Sequence, residues 1–305
     1  MIDAAQAEQQ NAEQRRRATL VGAGAVFLWG SLAALTTLTG DIQPFQIVAT
    51  AFFVGFLLAL VKWVVCGDSL TAPFRQSARA WTICVGGLFG YHFLLFLALK
   101  TSPPVQANLI NYLWPLLIVL FSALLPGQTL RARHIAGALL GFSGACLLVT
   151  GENSFLPAPE HIPGYAAALA GALVWASYSV ASSRLISVPT DAIGAFCLVA
   201  AILSTGAHLA FETTVAPSSG EWLVLVCLGL GPAGGAFFLW DWGLKRGHVR
   251  ALGGLAYTAP LSSTALLIVV GSAHLTVTIA VAAALIIGGA VLAAGDLLRR
   301  APGVV

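Results

Sequence analysis

Charge is the property that this sequence has least of. Only 9 % of its 305 residues are charged and 58 % are hydrophobic, whereas about 25 % of the residues in an average soluble domain are charged. The mean hydropathy is +0.88. A water-soluble domain of this size is therefore excluded, and the lipid bilayer is the solvent for most of the chain.

Several functional classes lack their signatures as well. The net charge is only +3, and no basic helix with interleaved aromatic residues is present, which excludes nucleic acid as a partner. The 5 cysteines form no Cys-x-x-Cys pair and have no histidine at metal-ligand spacing, so we expect no metal and no other cofactor. The Gly-x-x-x-x-Gly-Lys motif of nucleotide-binding loops is missing too, which excludes ATP-driven pumping by this chain.

Long apolar runs make up the rest of the sequence. A helix needs about 20 mostly apolar residues to cross a bilayer, and ten runs bounded by charge, proline or glycine meet this requirement. We therefore predict an all-α integral membrane protein with ten transmembrane helices. They cover roughly residues 18–38, 44–65, 79–99, 104–125, 132–150, 163–186, 190–211, 220–244, 249–271 and 275–297.

The basic residues predict how the chain is oriented. Of the 15 Lys and Arg residues, all but Lys100 fall on alternate connections that share one face of the membrane. Short cytoplasmic loops retain Lys and Arg, so we expect multi-pass insertion into the membrane with both termini in the cytoplasm. The residues on this face are Arg15, Arg16, Arg17, Lys62, Arg75, Arg79, Arg131, Arg133, Arg184, Lys245, Arg246, Arg250, Arg299 and Arg300.

The chain also repeats itself. Residues 86–147 align without a gap on residues 231–292, at an offset of 145, and matches at such a fixed offset are typical of an internal repeat. Each half holds five predicted spans, and because five is odd the second half enters the membrane in the opposite orientation. Matched steps include Leu99-Lys100 with Leu244-Lys245, Tyr112 with Tyr257, Pro115-Leu116 with Pro260-Leu261, and Gly144-Ala145 with Gly289-Ala290.

Two inverted five-helix repeats are therefore the predicted organisation. Such repeats have a pseudo-two-fold axis in the membrane plane, and a site at their interface faces either side when one half rocks against the other. Alternating access is the functional expectation. The predicted parts are a frayed cytoplasmic tail over 1–17, a first repeat over 18–151, an external connection over 152–162, a second repeat over 163–298 and a cytoplasmic tail over 299–305.

Several motifs carry a family resemblance. Each half has a tryptophan in its first span, within Phe27-Leu28-Trp29-Gly30-Ser31 and Leu173-Val174-Trp175-Ala176-Ser177, and a Tyr-x-x-Pro motif in its fourth. With its glycine-rich closing spans, the chain resembles the drug/metabolite transporter superfamily, and within it the EamA-type exporters. Tyr91-His92 and Asn111-Tyr112-Leu113-Trp114-Pro115 are similar to the bacterial aromatic amino acid exporters. This resemblance implies a carrier of the bacterial inner membrane, without enzymatic activity, that exports phenylalanine, tyrosine and tryptophan and in some cases other neutral amino acids.

Polar and aromatic side chains far from the span ends predict the binding site, because unsatisfied polar groups in hydrocarbon are costly. They form stripes on spans four, six and nine, which would converge on a central cavity. No Asp or Glu lies in the middle of a span, so we expect a neutral, aromatic cavity. The candidate lining residues are Trp29, Tyr91, His92, Asn108, Tyr112, Trp114, Trp175, Tyr178, Trp242 and Tyr257, and Pro115 and Pro260 are hinge candidates.

A neutral aromatic cavity suits a ligand with a flat apolar body and a small polar end. The stacking argument fits both an aromatic amino acid and a flat organic cation, and the resemblance favours the amino acid. A multidrug or organic-cation exporter is therefore the alternative. We expect an aromatic amino acid and the lipid bilayer as partners, and a monomer as the assembly.

Other residues have competing interpretations. His92 suits a proton relay or a hydrogen bond to a ligand, but also a satisfied core position. Near the span ends, Trp63, Trp81 and Trp222 are typical of an interfacial belt. Asp241 lies one turn before Lys245, so we predict an ion pair between them.

An enzyme and a channel remain as remote alternatives. The run Gly141-Phe142-Ser143-Gly144 fits the Gly-x-Ser-Gly pattern of intramembrane serine proteases, with His92 as the base that would activate the serine. Close helix packing explains the same small residues. A channel needs rings of charge or of carbonyl groups along a pore, and the sequence indicates neither.

Overall fold

The computed structural model describes residues 2–150, 159–269 and 274–293, and every regular element in these ranges is helical. The first half contains α1 (Ile2–Gly30), α2 (Leu32–Thr37), α3 (Pro44–Cys66), α4 (Ala78–Val85), α5 (Tyr91–Thr101), α6 (Pro104–Asn111), α7 (Leu113–Phe121) and α8 (Ala132–Thr150). The second half contains α9 (Ile162–Ser182), α10 (Ala192–Phe211), α11 (Ser219–Leu230), α12 (Gly235–Arg246), α13 (Val249–Ala256), α14 (Thr258–Val269) and α15 (Val277–Ala293).

Many of these helices are suited to a bilayer. In the described part of the chain, 7 helical stretches are long and apolar enough to cross a membrane, and the shorter apolar helices are Ala132–Leu148 and Val277–Ala293. The prediction of an all-α membrane protein is confirmed at this level. The long stretches are Gln9–Thr37, Pro44–Cys66, Ala78–Thr101, Gln106–Leu124, Pro159–Ser182, Ala192–Phe211 and Ser219–Arg246.

The N-terminal segment differs from its prediction. Residues 2–17 are not frayed but form the first half of α1, which continues into the first apolar run. The reason is local composition, since Ala, Gln, Glu and Arg dominate this segment and are good helix formers. The predicted C-terminal tail over 299–305 and most of the predicted connection over 152–162 lie outside the described residues.

Helix interruptions occur at matched positions in the two halves. A π-helical turn, Gly86–Gly90, separates α4 from α5, and residues 231–234, which lie 145 positions later, separate α11 from α12. Pro115 and Pro260 are each the third residue of α7 and α14. Since proline has no N–H for the carbonyl four residues earlier, it explains why α6 ends at Asn111 and α13 at Ala256.

The two halves pack against each other helix by helix. The most extensive helix contacts are those of α8 with α15, α3 with α10, α1 with α12, and α5 with α9. Each of these pairs joins one helix of the first half to one of the second. The core is therefore an interface between the halves along its whole length.

The contact between α8 and α15 depends on small residues, which we call the glycine seam: Gly137, Gly141, Gly144 and Gly289. A Cβ atom on Gly289 would lie 2.5 Å from the carbonyl oxygen of Gly137 and 2.6 Å from the amide nitrogen of Gly141. Only glycine allows backbones to approach this closely.

Charged side chains join α3 to α10 at both ends of this helix pair. Lys62 near the end of α3 contacts Asp191, which precedes α10. At the other end, the buried carboxylate of Glu212 accepts hydrogen bonds from the backbone N–H groups of Phe45 at 3.1 Å and Gln46 at 3.3 Å, in the first turn of α3. An anion is favourable at a helix N-terminus, so these contacts fix α3 against α10.

Candidate functional site

Aromatic side chains from both halves meet in the centre of the helix bundle. Their ring centroids lie between 5.0 and 6.5 Å apart in successive pairs. Edge-to-face and tilted contacts at such distances each contribute about 0.5 to 1.5 kcal/mol beyond the burial of area. We call these residues the aromatic cluster: Trp29, Phe52, Tyr91, His92, Trp114, Trp175, Tyr178, Phe237 and Trp240.

Trp29 contacts cluster rings from both halves of the chain. Its ring lies 6.0 Å from that of Trp114, 5.7 Å from that of Trp175 and 5.0 Å from that of Trp240. Its indole Nε1 donates a hydrogen bond of 3.0 Å to the carbonyl oxygen of Pro232, in the break between α11 and α12. The interrupted helix supplies an acceptor in the bundle interior because its carbonyl groups are not all used within a helix.

Polar groups lie at one side of the cluster. The Nδ1 atom of His92 donates to the carbonyl oxygen of Leu88 at 2.7 Å, since a carbonyl only accepts, and the Nε2 atom is thereby left as an acceptor. The Nδ2 atom of Asn111 donates to the hydroxyl oxygen of Tyr91 at 3.1 Å. Within the described residues, Oδ1 of Asn111 is buried and has no hydrogen-bond partner. A ligand's donor group would satisfy it.

A buried ionic network lies one turn from the cluster on α12. Asp241 is fully buried, and Nζ of Lys245 lies 2.7 Å from its carboxylate, which confirms the predicted ion pair. The same carboxylate accepts from Ser182 at 3.2 Å and from Thr190 at 2.7 Å. Because these partners neutralise and satisfy Asp241, it offers no free negative charge to the cluster.

Six of the ten predicted lining residues belong to the cluster. They come from α1, α5, α7 and α9, and they are Trp29, Tyr91, His92, Trp114, Trp175 and Tyr178. Tyr112 lies at the break between α6 and α7, and Asn108 lies one turn before it on α6. Both are half-buried.

The structure does not bring the other two predicted residues to the cluster. Trp242 is 40 % exposed, and the guanidinium of Arg246 lies 3.6 Å from the centroid of its ring. Tyr257 is fully buried, but it packs in a separate group with Phe142 and the glycine seam. Helix geometry keeps Trp242 away from the cluster, since this residue lies on the opposite face of α12 from the clustered residues.

The belt prediction for Trp63 is wrong. Its side chain is only 1 % exposed and packs against Phe56 and Phe74. The short helical segment Ala72–Phe74 folds back over the end of α3 and covers it. Trp222, at 49 % exposed, is placed as an interfacial residue would be, and Trp81 packs on Phe196 at 4.8 Å.

Sequence reasoning missed three cluster members, Phe52, Phe237 and Trp240. A usable signal existed for two of them, because Phe237 and Trp240 are three residues apart and share one helix face. Phe237 is also the repeat counterpart of His92, at the offset of 145. Phe52 lies in a uniformly apolar run and carries no such signal.

The protease motif has the wrong geometry for catalysis. Ser143 lies on the exposed side of α8, and its flanking glycines serve packing, because a Cβ on Gly141 would lie 2.6 Å from the ring of Tyr257. His92, by contrast, packs against Phe52 at 5.2 Å in the aromatic cluster. In the described ranges, no group of three or more His, Cys, Asp and Glu side chains is placed to hold a metal ion.

A cleft of about 540 Å³ opens beside the ends of α7, α9 and α12 and the start of α13. It does not reach into the cluster, whose rings pack against one another. Leu244, which lines the cleft, lies one turn after Trp240 on α12, and Ser183 lies four residues after Ser179, whose hydroxyl accepts from Nε1 of Trp240 at 3.2 Å. The cleft and the cluster are thus about one helical turn, 5.4 Å, apart.

The comparison with protein families decides the class of this protein. The sequence matches the EamA-like transporter family twice, over residues 16–150 and over residues 162–295. The chain belongs to this family. Both EamA copies contribute residues to the aromatic cluster.

Curated relatives cover nearly the same length. The aromatic amino acid exporter YddG of Ancylobacter novellus is 49 % identical over 287 residues, which is 94 % of this chain and 99 % of the relative. The aromatic amino acid exporter YddG of Escherichia coli K12 is 26 % identical over 300 residues, 91 % of this chain and 97 % of the relative. These EamA relatives are named as exporters and not as enzymes.

A solved crystal structure has the same fold. It superposes with a TM-score of 0.88 at 48 % sequence identity and covers 93 % of this chain and 100 % of the other. The chain is thus a multi-span transporter of the bacterial inner membrane.

Proposed function

We propose that this EamA protein exports aromatic amino acids, and other neutral ones, from the cytoplasm through the aromatic cluster. The observation that carries the proposal is the composition of the cluster, to which both EamA copies contribute rings at centroid distances of 5.0 to 6.5 Å. The names of its curated relatives support the same substrate class.

An aromatic substrate fits this cluster because its ring can take the place of a protein ring in the same kind of contact. When a substrate ring enters, protein rings rotate aside, and each edge-to-face contact that they lose is regained with the substrate. The open cavity is then a state in which ligand or solvent occupies the space that the rings now fill.

The polar end of the substrate also has partners. An α-ammonium group can donate to Oδ1 of Asn111 or to the Nε2 acceptor of His92, and both residues contact Tyr91. Because Asp241 is neutralised by Lys245, the site offers neutral acceptors rather than a counter-charge. This favours a zwitterion, whose own carboxylate balances its ammonium group, over an organic cation, which would be held by the ring faces alone.

The helix contacts support ten spans arranged as two inverted repeats. Counting α1–α2, α4–α5, α6–α7, α11–α12 and α13–α14 each as one span gives five in each copy. An exchange of the two copies turns the contact of α1 with α12 into that of α9 with α5, and both contacts are among the most extensive. It maps the α3–α10 and α8–α15 pairs onto themselves, as a two-fold axis requires.

Alternating access follows from this arrangement. The matched breaks before Pro115 and Pro260 let the outer parts of two equivalent spans bend, in turn, on opposite sides of the membrane. Both termini then lie in the cytoplasm, on the side of the basic residues. Because one chain completes the cluster, a monomer suffices.

The test is transport by the purified protein. Proteoliposomes are assayed for uptake of radiolabelled L-tryptophan and L-phenylalanine, with protein-free liposomes and excess unlabelled amino acid as controls. We expect saturable uptake that unlabelled aromatic amino acids compete. His92→Ala and Trp175→Ala should each lower uptake by about 10-fold or more at equal reconstitution, which corresponds to about 1.4 kcal/mol.

Trp222→Ala is the matched control, because its exposed ring lies outside the cluster, and it should retain uptake within about 2-fold. Equal losses in all three variants would contradict the site. If a flat organic cation such as ethidium is transported and aromatic amino acids neither move nor compete, the protein is the alternative multidrug exporter.

A further inference from the structure

The cleft beside the cluster has the dimensions of a ligand site. Its volume of about 540 Å³ lies within the range of about 300 to 1,000 Å³ that small-molecule pockets occupy. It is lined by residues of α1, α12, α13 and α15 and of the segments that follow α7 and α9, and it ends one turn from Trp240. At this end of the bundle, the cleft brings a bound molecule to within about one helical turn of the cluster.

The charged lining of the cleft is of one sign. Arg15, Arg184, Lys245 and Arg250 line it, and among its described lining residues there is no Asp or Glu. Lys245 is held by Asp241, and Arg250 contacts Gln128 at 2.6 Å. Arg184 is exposed, and its side chain forms no ion pair with another described residue. Its guanidinium is thus available to an anion.

Orientation alone does not account for this arrangement. The cytoplasmic face of a membrane protein is rich in Lys and Arg, but that rule does not require the cations to line one cavity. Lys62, on the same face, contacts Asp68 and Asp191, and Arg246 lies over the exposed ring of Trp242. Arg246, the neighbour of Lys245 at the end of α12, is therefore an arginine close to the cleft that does not line it.

We propose that this cleft is a docking site for the α-carboxylate of the substrate, which pairs with Arg184 and is supported by Arg15. This inference rests on the proposed function and names the group of the substrate that is recognised first. Arginine is suited to the role because its planar guanidinium binds a carboxylate with two parallel hydrogen bonds. From the cleft, the substrate ring is about one helical turn from Trp240.

The experiment compares a substrate with its carboxylate-free analogue. L-Phenylalanine and L-phenylalaninamide share the ring and the ammonium group, and only the first carries a carboxylate. Concentration dependence of L-phenylalanine uptake, and its inhibition by L-phenylalaninamide, are measured for the unsubstituted protein and for Arg184→Gln, Arg184→Lys and Arg246→Gln. Each protein is assayed both in phosphatidylcholine liposomes and in phosphatidylcholine liposomes that contain phosphatidylglycerol.

We expect Arg184→Gln to raise the KM for L-phenylalanine by about 5- to 10-fold, because one charge-assisted contact is lost. The inhibition constant of L-phenylalaninamide should change by less than about 2-fold, since this molecule never used the contact. Arg184→Lys keeps the cation and should restore most of the affinity. Arg246→Gln should change neither constant.

Other outcomes overturn the inference in distinguishable ways. An equal change for both molecules would show that Arg184 is structural, and unchanged constants would remove it from the path. If the effect of Arg184→Gln appears only in liposomes that contain phosphatidylglycerol, the cleft holds a lipid headgroup instead. If the unsubstituted protein transports no L-phenylalanine at all, the proposed function fails and this inference fails with it.

Discussion

The aromatic cluster and the glycine seam are two junctions between the same EamA copies, and they are built from opposite extremes of side-chain size. In the seam, the backbones of α8 and α15 nearly touch, so no side chain can move aside. In the cluster, the backbones are held apart by rings, and rotation of a ring makes room without moving a helix. The comparison teaches that the seam is suited to be a fixed contact and the cluster a variable one.

The largest expected effect is loss of the fold when the seam is filled. In Gly289→Val, the new Cβ would lie 2.5 Å from the carbonyl oxygen of Gly137, a backbone atom that cannot yield, so α15 must separate from α8. We expect most of the protein to be lost from the monodisperse peak in fluorescence-detected size-exclusion chromatography. Gly288→Val is the matched control, because a Cβ at Gly288 meets nothing within 4 Å, and a similar loss there would refute a fixed seam.

The next effect sharpens the boundary of the cluster. Trp240 is fully buried within it, whereas Trp242, two residues later, is 40 % exposed on the opposite face of α12. Trp240→Phe removes the indole contact to Trp29 and the hydrogen bond to Ser179, so we expect about a 10-fold lower rate of L-tryptophan uptake. Trp242→Phe should leave the rate unchanged, and thermal stability measured in detergent should show both variants folded. A larger effect at Trp242 would contradict the assignment.

The two junctions also differ in how far the sequence predicts them. Glycines repeated at 137, 141 and 144, with a partner at 289, already indicate two closely packed helices, because such a pattern commonly serves the close approach of two helix backbones. The cluster is only partly predictable. Trp29, His92 and Trp175 lie deep inside their spans, and depth is readable from the sequence.

Which side chain of a span faces the centre is harder to predict. Trp240 and Trp242 are equally deep in one span, and only the rotation of α12 about its axis separates them. That rotation is set by packing on α1, where a Cβ on Gly22 would lie 2.9 Å from the Cα atom of Gly243. Such a contact joins residues far apart in the chain, and no local pattern reports it. The buried Trp63 was missed for the same reason, since its ring also packs on α10, where a Cβ on Gly194 would lie 3.1 Å from the ring.

A moderate effect tests the polar side of the cluster. Asn111→Leu keeps the size of the side chain but removes the buried Oδ1 acceptor that has no partner among the described residues. If this atom receives the substrate's ammonium group, the KM for L-phenylalanine should rise by about 5-fold, which is about 1 kcal/mol. Asn108→Leu, one turn earlier on α6, is the control. The idea fails if Asn111→Leu leaves the KM unchanged.

The smallest expected effect concerns Pro115 and Pro260. These prolines belong to neither junction, since they neither fix a contact between helices nor line the binding site. Pro115→Ala or Pro260→Ala restores an N–H that can bond to the carbonyl of Asn111 or Ala256 and so makes the broken span more continuous. If bending there accompanies transport, the maximal uptake rate should fall by about 2- to 3-fold with an unchanged KM, because the binding groups stay in place.

Pro104→Ala provides the control for both variants. Pro104 is the first residue of α6, a position whose N–H has no partner within the helix in any case, so its replacement leaves helix continuity as it was. An unchanged rate in Pro115→Ala and Pro260→Ala would mean that the breaks are static, and that rotation of rings in the cluster opens the path without bending of the spans. A raised KM would instead place the prolines in the binding site itself.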